Sequence, residues 1–123
     1  MFVYPSRLPD SELQLIQSSL HASVLRLGFR SGIFHVEARV HNSSMHYAVD
    51  AGGILKLVLG LKSVTAIEPR VFLIEINARP PADFGLMTIA TTYGVDYFAL
   101  HARRALDDEA RFKALACSFA NKP

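Results

Sequence analysis

Hydrophobic positions recur first at helical and then at strand spacing along the first third of the chain. From Asp10 to Leu27, the residues Leu13, Ile16, Leu20, Val24 and Leu27 follow one another at steps of three and four, which predicts an amphipathic helix. Pro9 and Asp10 suit its first turn, and Gly28 suits its stop. Beyond Arg30-Ser31-Gly32 the period drops to two. Over Ile33–His41, Phe34, Val36, Ala38 and Val40 take one face, while His35, Glu37, Arg39 and His41 take the other. Asn42-Ser43 is turn-like, so Ser44–Asp50 is expected to return as the second strand of a hairpin, with Met45, Tyr47 and Val49 opposing Ser44, His46, Ala48 and Asp50.

A third alternating stretch lies at Val71–Gly85, VFLIEINARPPADFG, where a strand runs into a proline-stiffened loop. Phe72, Ile74, Ile76 and Ala78 form a wholly apolar face that is expected to sit on a core. Val71, Leu73, Glu75, Asn77 and Arg79 share the opposite face, which ends in a carboxylate, an amide and a guanidinium at two-residue spacing. The intervening Ala51–Arg70 is the least regular part: Gly52-Gly53 suggests a turn, and Ile54–Leu61 fits either a strand or a short helix. After the Pro80-Pro81 loop, Gly85–Thr92 reads as a short helix broken at Tyr93-Gly94. Asp96–Leu106 follows, with Phe98, Ala99, Ala102, Ala105 and Leu106 as its apolar stripe. Asp107-Asp108 can cap a last helix carrying Phe112, Leu115, Ala116 and Phe119.

This order of elements predicts an α+β domain in which three strands form one antiparallel sheet with helices packed on one face. The other face would then carry Glu37, Arg39, His46, Glu75, Asn77 and Arg79. The length of 123 residues suits one domain, 1–123, with an insertion at about 51–70.

Half of the residues are hydrophobic and the mean hydropathy is +0.22, which suggests apolar surface in search of a partner. The net charge of +2 is mild and its basic residues are scattered, so nucleic acid is not the expected partner. Cys117 is the sole cysteine, which leaves no internal disulfide and no cysteine metal motif. It is expected in a core or interface. The opening MFVYPSRLPDSEL lacks the apolar run of a signal peptide, and the apolar segment Ile54–Leu61 is too short to span a bilayer. A soluble cytoplasmic protein, away from membranes, is the expectation.

Two oxygen acceptors followed by a planar guanidinium suit a hard cation next to a phosphate. The run Glu75-Ile76-Asn77-Ala78-Arg79, the upstream Gly32-Ile33-Phe34-His35-Val36-Glu37 and the trailing Pro80-Pro81 together resemble the C-terminal lobe of ATP-grasp carboxylate–amine or carboxylate–thiol ligases. That resemblance spans roughly Leu8 to Leu115, with a break between Ala51 and Glu68. It implies magnesium held by Glu37, Glu75 and Asn77 against the phosphates of ATP, with Arg79 steadying the transferred phosphoryl group or an acyl phosphate. Arg39, on the same strand face as Glu37, is a candidate contact to nucleotide or substrate and equally a charge compensator. Arg79 has a plainer alternative as an ion-pair partner of Glu75 or Glu37. His35 and His46 are candidate acid–base groups, and His35, His41 and His46 with Glu37 also raise a zinc reading. Tyr93, Tyr97 and Phe98 are expected to pack between helices.

The sequence departs from the family in two places. Thirty-eight residues separate Glu37 from Glu75, so an insertion must loop out between the metal-bearing strands. Ala82 stands where the family commonly has glycine, which would resist a positive φ there. No glycine-rich phosphate loop occurs, and nothing before Gly28 corresponds to the family's adenine-binding lobe. The resemblance therefore implies a truncated domain, not a competent ligase alone, holding magnesium and ATP weakly or no longer. The expected partner is a missing ATP-grasp lobe or a second copy in a homodimer centred on Ile54–Leu61, with a small carboxylate as substrate. Two alternatives stay open. One is a small stand-alone acid–base isomerase or cyclase, or a ligand-binding protein, that reuses the half-site through Glu37, His35, His46 or Glu75; the other is a non-catalytic interaction module.

Overall fold

Eight elements follow one another in a computed structural model that describes residues 5–60 and 67–119, with backbone alone for Asp83 and Phe84. They are α1 (Asp10–Arg26), β1 (His35–His41), β2 (Met45–Val49), β3 (Leu55–Leu59), β4 (Arg70–Asn77), α2 (Asp83–Tyr93), α3 (Tyr97–Ala105) and α4 (Glu109–Leu115). The class is α+β, as the periodicities imply, but the strands form two two-stranded antiparallel sheets, β1 with β4 and β2 with β3. The chain gathers into two units. A strand unit comprises Ser6–Gly28 and Glu37–Glu75, and a helical unit comprises Phe29–Val36 and the chain from Ile76 onward.

In the strand unit, α1 ends as its sequence predicts, with Leu27 at the C-cap and Gly28 at a φ of +91°. Its apolar stripe is only half-buried at Leu13, Ile16, Leu20 and Val24, and Leu27 is exposed. The buried residue of this helix is instead Glu12, 2% exposed. Its carboxylate accepts three hydrogen bonds of 2.7 Å, from Ser43 Oγ, Ser44 N–H and Ser44 Oγ. A buried charge needs this many donors to offset its lost hydration. The contact pins α1 to the corner between β1 and β2.

The expected β1–β2 hairpin does not form. Ser44 N–H is taken by Glu12, and Met45 N–H is taken by Ser43 Oγ at 3.0 Å. The first backbone donors of β2 are thus bound to side chains when the chain leaves the corner. β2 pairs with β3 instead, in the register Met45↔Leu59, His46↔Val58, Tyr47↔Leu57, Ala48↔Lys56 and Val49↔Leu55. Ile54–Leu61 is accordingly a strand where it is described, while Leu61 lies outside the described residues. Asp50 closes the hairpin: its Oδ1 accepts from Gly52 N–H at 2.9 Å and Ile54 N–H at 3.0 Å, and Lys56 Nζ lies 2.6 Å from Oδ2. Gly53 follows at a φ of +76°, as so tight a loop requires. The Lys56 ion pair, with the two backbone donors, holds the Asp50 carboxyl below its ordinary range.

β1 runs antiparallel to β4, and the Asn42 side chain beyond the end of β1 reaches the Glu68 carbonyl just before the start of β4, at 3.4 Å. The apolar face of β4 does not line a core: Phe72 is 60% and Ile74 55% exposed. A two-stranded ladder has too little surface to cover itself.

The helical unit holds the apolar side chains that are fully buried among the described residues, Leu86, Val95 and Leu100. α2 stops at Gly94, whose φ is +72°, and Phe119 N–H donates to the Tyr93 carbonyl at 2.8 Å. Asp96 caps α3 by accepting from Phe98 N–H and Ala99 N–H, and Asp108 caps α4 by accepting from Arg111 N–H. The expected stripe of α3 is displaced. Phe98 and Leu106 are 61% and 70% exposed, whereas Leu100 is buried with Tyr97, Arg103 and Arg104 half-buried. The arginine stems lie inward because Asp108 and Glu109 ion-pair with their ends. On α4, Phe112 is half-buried and Leu115 exposed; Phe119, expected on the same helix, lies beyond its end and is exposed.

Burial opposes ionisation of Glu12, but its three hydrogen bonds outweigh that and hold its carboxyl below the ordinary range. Its stabilising effect is therefore complete above the unfolded carboxylate value of about 4.3 and disappears as pH falls through the lower folded value. We expect Glu12→Ala to cost about 2–3 kcal/mol in urea denaturation at neutral pH, the worth of hydrogen bonds to a charged group, and the deficit to shrink toward pH 3. A deficit that stays constant with pH would assign it to packing. Gly94→Ala should cost at least about 1–2 kcal/mol in thermal denaturation, since an added Cβ meets a left-handed backbone and also collides with the Phe119 ring.

Candidate functional site

Glu37 and Arg39 lie in the middle of β1, and Glu75 lies near the end of the paired strand β4, all three exposed in the strand unit. Neither carboxylate makes a hydrogen bond or ion pair with another described residue of that unit. Strand pairing thus leaves two exposed carboxylates on one small sheet.

Asn77, half-buried at the end of β4, and Arg79, exposed just beyond it, belong to the helical unit. The Arg79 guanidinium donates to the Pro80 carbonyl at 3.2 Å. The Pro80-Pro81 loop leads to Ala82, the N-cap of α2, at φ −70° and ψ 163°. Alanine therefore stands there without strain, and the positive φ for which glycine would be needed is not adopted. His35 is half-buried in the same unit, with its Nδ1 enclosed and lacking a hydrogen-bond partner among the described residues.

The histidines do not gather as the sequence suggested. His46 lies on β2 opposite Val58, in the β2–β3 sheet and not in the sheet that carries Glu37 and Glu75. His41, at the end of β1, sets its ring 5.9 Å from that of Phe72. Among the described residues, no three His, Cys, Asp or Glu side chains come together to hold a metal, so the zinc reading has no support. Cys117 is exposed, with its thiol directed at the Lys113 carbonyl at 3.7 Å, so it is not a core residue of this chain. Tyr97 does pack, and burial raises its phenol above the ordinary value, but Phe98 is largely exposed. Among the described residues, no helix is long and apolar enough to cross a membrane.

Sequence reasoning missed the contact of Glu12 with Ser43 and Ser44. A signal was present: Glu12 directly precedes the apolar residue Leu13, and two adjacent hydroxyl residues follow a predicted strand. Their pairing spans more than thirty residues, which no local pattern reveals.

Carboxylate and amide oxygens, the donor types of Glu37, Glu75 and Asn77, suit magnesium better than zinc. No family profile and no solved structure matches the chain. It is, however, 41% identical over 121 residues to the ATP-grasp enzyme fsqD of Aspergillus fumigatus, a match covering 98% of this chain. The chain spans about a fifth, 21%, of the length of that curated relative. The residues on β1 and β4 that resemble the ATP-grasp metal site lie inside the matched stretch. The chain is therefore homologous to the C-terminal portion of an ATP-grasp enzyme.

Proposed function

We propose that this chain supplies the metal-facing part of an ATP-grasp site that joins a carboxylic acid to an amine. The observation that carries the reading is the 41% identity across nearly the whole chain, including β1 and β4 with their open carboxylates. In this reading Glu37 on β1 and Glu75 on the paired strand β4 would hold magnesium between them. Arg79 binds phosphoryl or acyl-phosphate oxygens, a role suited to a planar fork beside a rigid loop. Arg39 would contact nucleotide or substrate. His46, in the other sheet, has no part.

Magnesium and ATP, when bound, supply the phosphoryl group that activates the acid and the charge that neutralises it. The work of the chain is to bind and orient; none of its side chains acts as a nucleophile. Nothing in its sequence cradles phosphates by a glycine-rich loop, so enclosure of the nucleotide must come from other parts of an ATP-grasp assembly.

Calorimetric titration with manganese, a spectroscopically convenient substitute for magnesium, tests the ligand assignment. Glu37→Gln and Glu75→Gln should each weaken binding by about tenfold or more, the equivalent of one charge-assisted ligand, while Glu109→Gln on α4 leaves it unchanged. Manganese affinity insensitive to both substitutions, or absent in the parent, would overturn it. Titration of the same chain with magnesium-ATP should give a Kd well above about 1 μM, because a half-enclosed site leaves the phosphates in water. Submicromolar binding would show that the chain encloses nucleotide unaided.

A further inference from the structure

The β2–β3 hairpin has a feature that ATP-grasp chemistry does not use: a free strand edge with a self-complementary order of residues. Residues directly opposite in an antiparallel ladder share a face, so Met45, Tyr47 and Val49 stand with Leu59, Leu57 and Leu55 on one wholly apolar side. Tyr47, Val49 and Leu59 are each more than 60% exposed, and Leu55 is 49% exposed.

The hydrogen bonds at the two ends of the ladder reveal which backbone groups point outward. Asp50 N–H donates to Ile54 O at 3.0 Å and Gly60 N–H to Ser44 O at 2.7 Å. Bonded pairs alternate along an antiparallel ladder, so the even-numbered residues of β3, Lys56 and Val58, direct their N–H and C=O groups toward β2. Leu55, Leu57 and Leu59 direct theirs away from it, along an edge that no other described strand occupies. The outer edge of β2 is less open, because Met45 N–H already bonds Ser43 Oγ.

We propose that a second copy of this chain occupies the β3 edge, pairing antiparallel about a two-fold axis through Leu57. That axis sets Leu57 against Leu57 of the other copy and Leu55 against its Leu59. All three outward-facing residues then form bonded pairs, giving six backbone hydrogen bonds across the junction. Lys56 falls opposite Val58, not opposite another Lys56, and its charge is already compensated by Asp50 of its own hairpin. The leucines meet side by side on one continuous apolar face. A symmetric strand junction of this kind satisfies an edge that otherwise lacks the proline, bulge or inward charge by which monomeric sheets protect themselves. The inference is independent of the metal reading, since Glu37, Glu75, Asn77 and Arg79 lie on other elements.

Sedimentation velocity of the full chain, combined with amide hydrogen exchange across a wide concentration range, tests it. The expected result is association in which the amides of Leu55, Leu57 and Leu59 slow by about tenfold or more at high concentration, while exposed amides of α4 do not change. Leu57→Lys and Leu57→Glu should each sediment as monomers, since each sets like charges against one another at the axis. An equimolar mixture of the two should associate again, a recovery that a misfolded hairpin would not show. A parent that stays monomeric at high concentration, association without protection of those three amides, or a charge-swapped mixture that remains monomeric would each overturn the proposal. Failure in this test would leave the manganese experiment unaffected.

Discussion

The burial of one carboxylate governs how the strand unit is connected. Glu12 sits against the Ser43–Ser44 corner and draws three hydrogen bonds into a site that is almost closed to water. A charge so placed is tolerable only with donors in position, so α1, the end of β1 and the start of β2 are fixed together. Beyond that corner β2 forms a hairpin with β3. β1 is left to pair with β4, which brings the two strands bearing Glu37 and Glu75 into one sheet.

Helix ends were the most legible part of the sequence, because their signals are local. Gly28 and Gly94 stop α1 and α2 at positive φ, and Asp96 and Asp108 cap α3 and α4 with their own side chains. The positions of β1, β2 and β4 also followed from alternation. Strand pairing did not. An Asn42-Ser43 turn is a sound local reason for a hairpin, yet the competing bonds come from a helix about thirty residues earlier. Residue faces failed for a different reason. Alternation tells which side chains share a side, and the inference that an apolar side is buried presumes something to cover it. Phe72, Ile74, Tyr47 and Val49 are apolar and exposed alike. On α3 the stripe moved because Arg103 and Arg104 lay their stems inward to reach Asp108 and Glu109, an outcome that hydrophobicity alone does not rank.

The strand positions of the candidate residues were legible in the sequence, their grouping less so. Glu37, Arg39 and Glu75 lie on the paired strands β1 and β4, as their spacing suggested, whereas His46 is removed to the other sheet and His41 leans on Phe72. Oxygen donors of the Glu and Asn type suit magnesium. The homology to an ATP-grasp enzyme extends over 98% of the chain.

The grouping of Glu37 with Glu75 around one cation is the claim on which the functional reading stands. Manganese added in trace amounts to isotopically labelled chain broadens the amide resonances nearest the bound ion, and so maps it directly. Broadening centred together on the amides of Glu37 and Glu75, and reversed by excess magnesium, is the predicted result. Broadening that falls on Glu37 or Glu75 without the other, or that centres on the exposed acids Asp107 and Glu109, would contradict it.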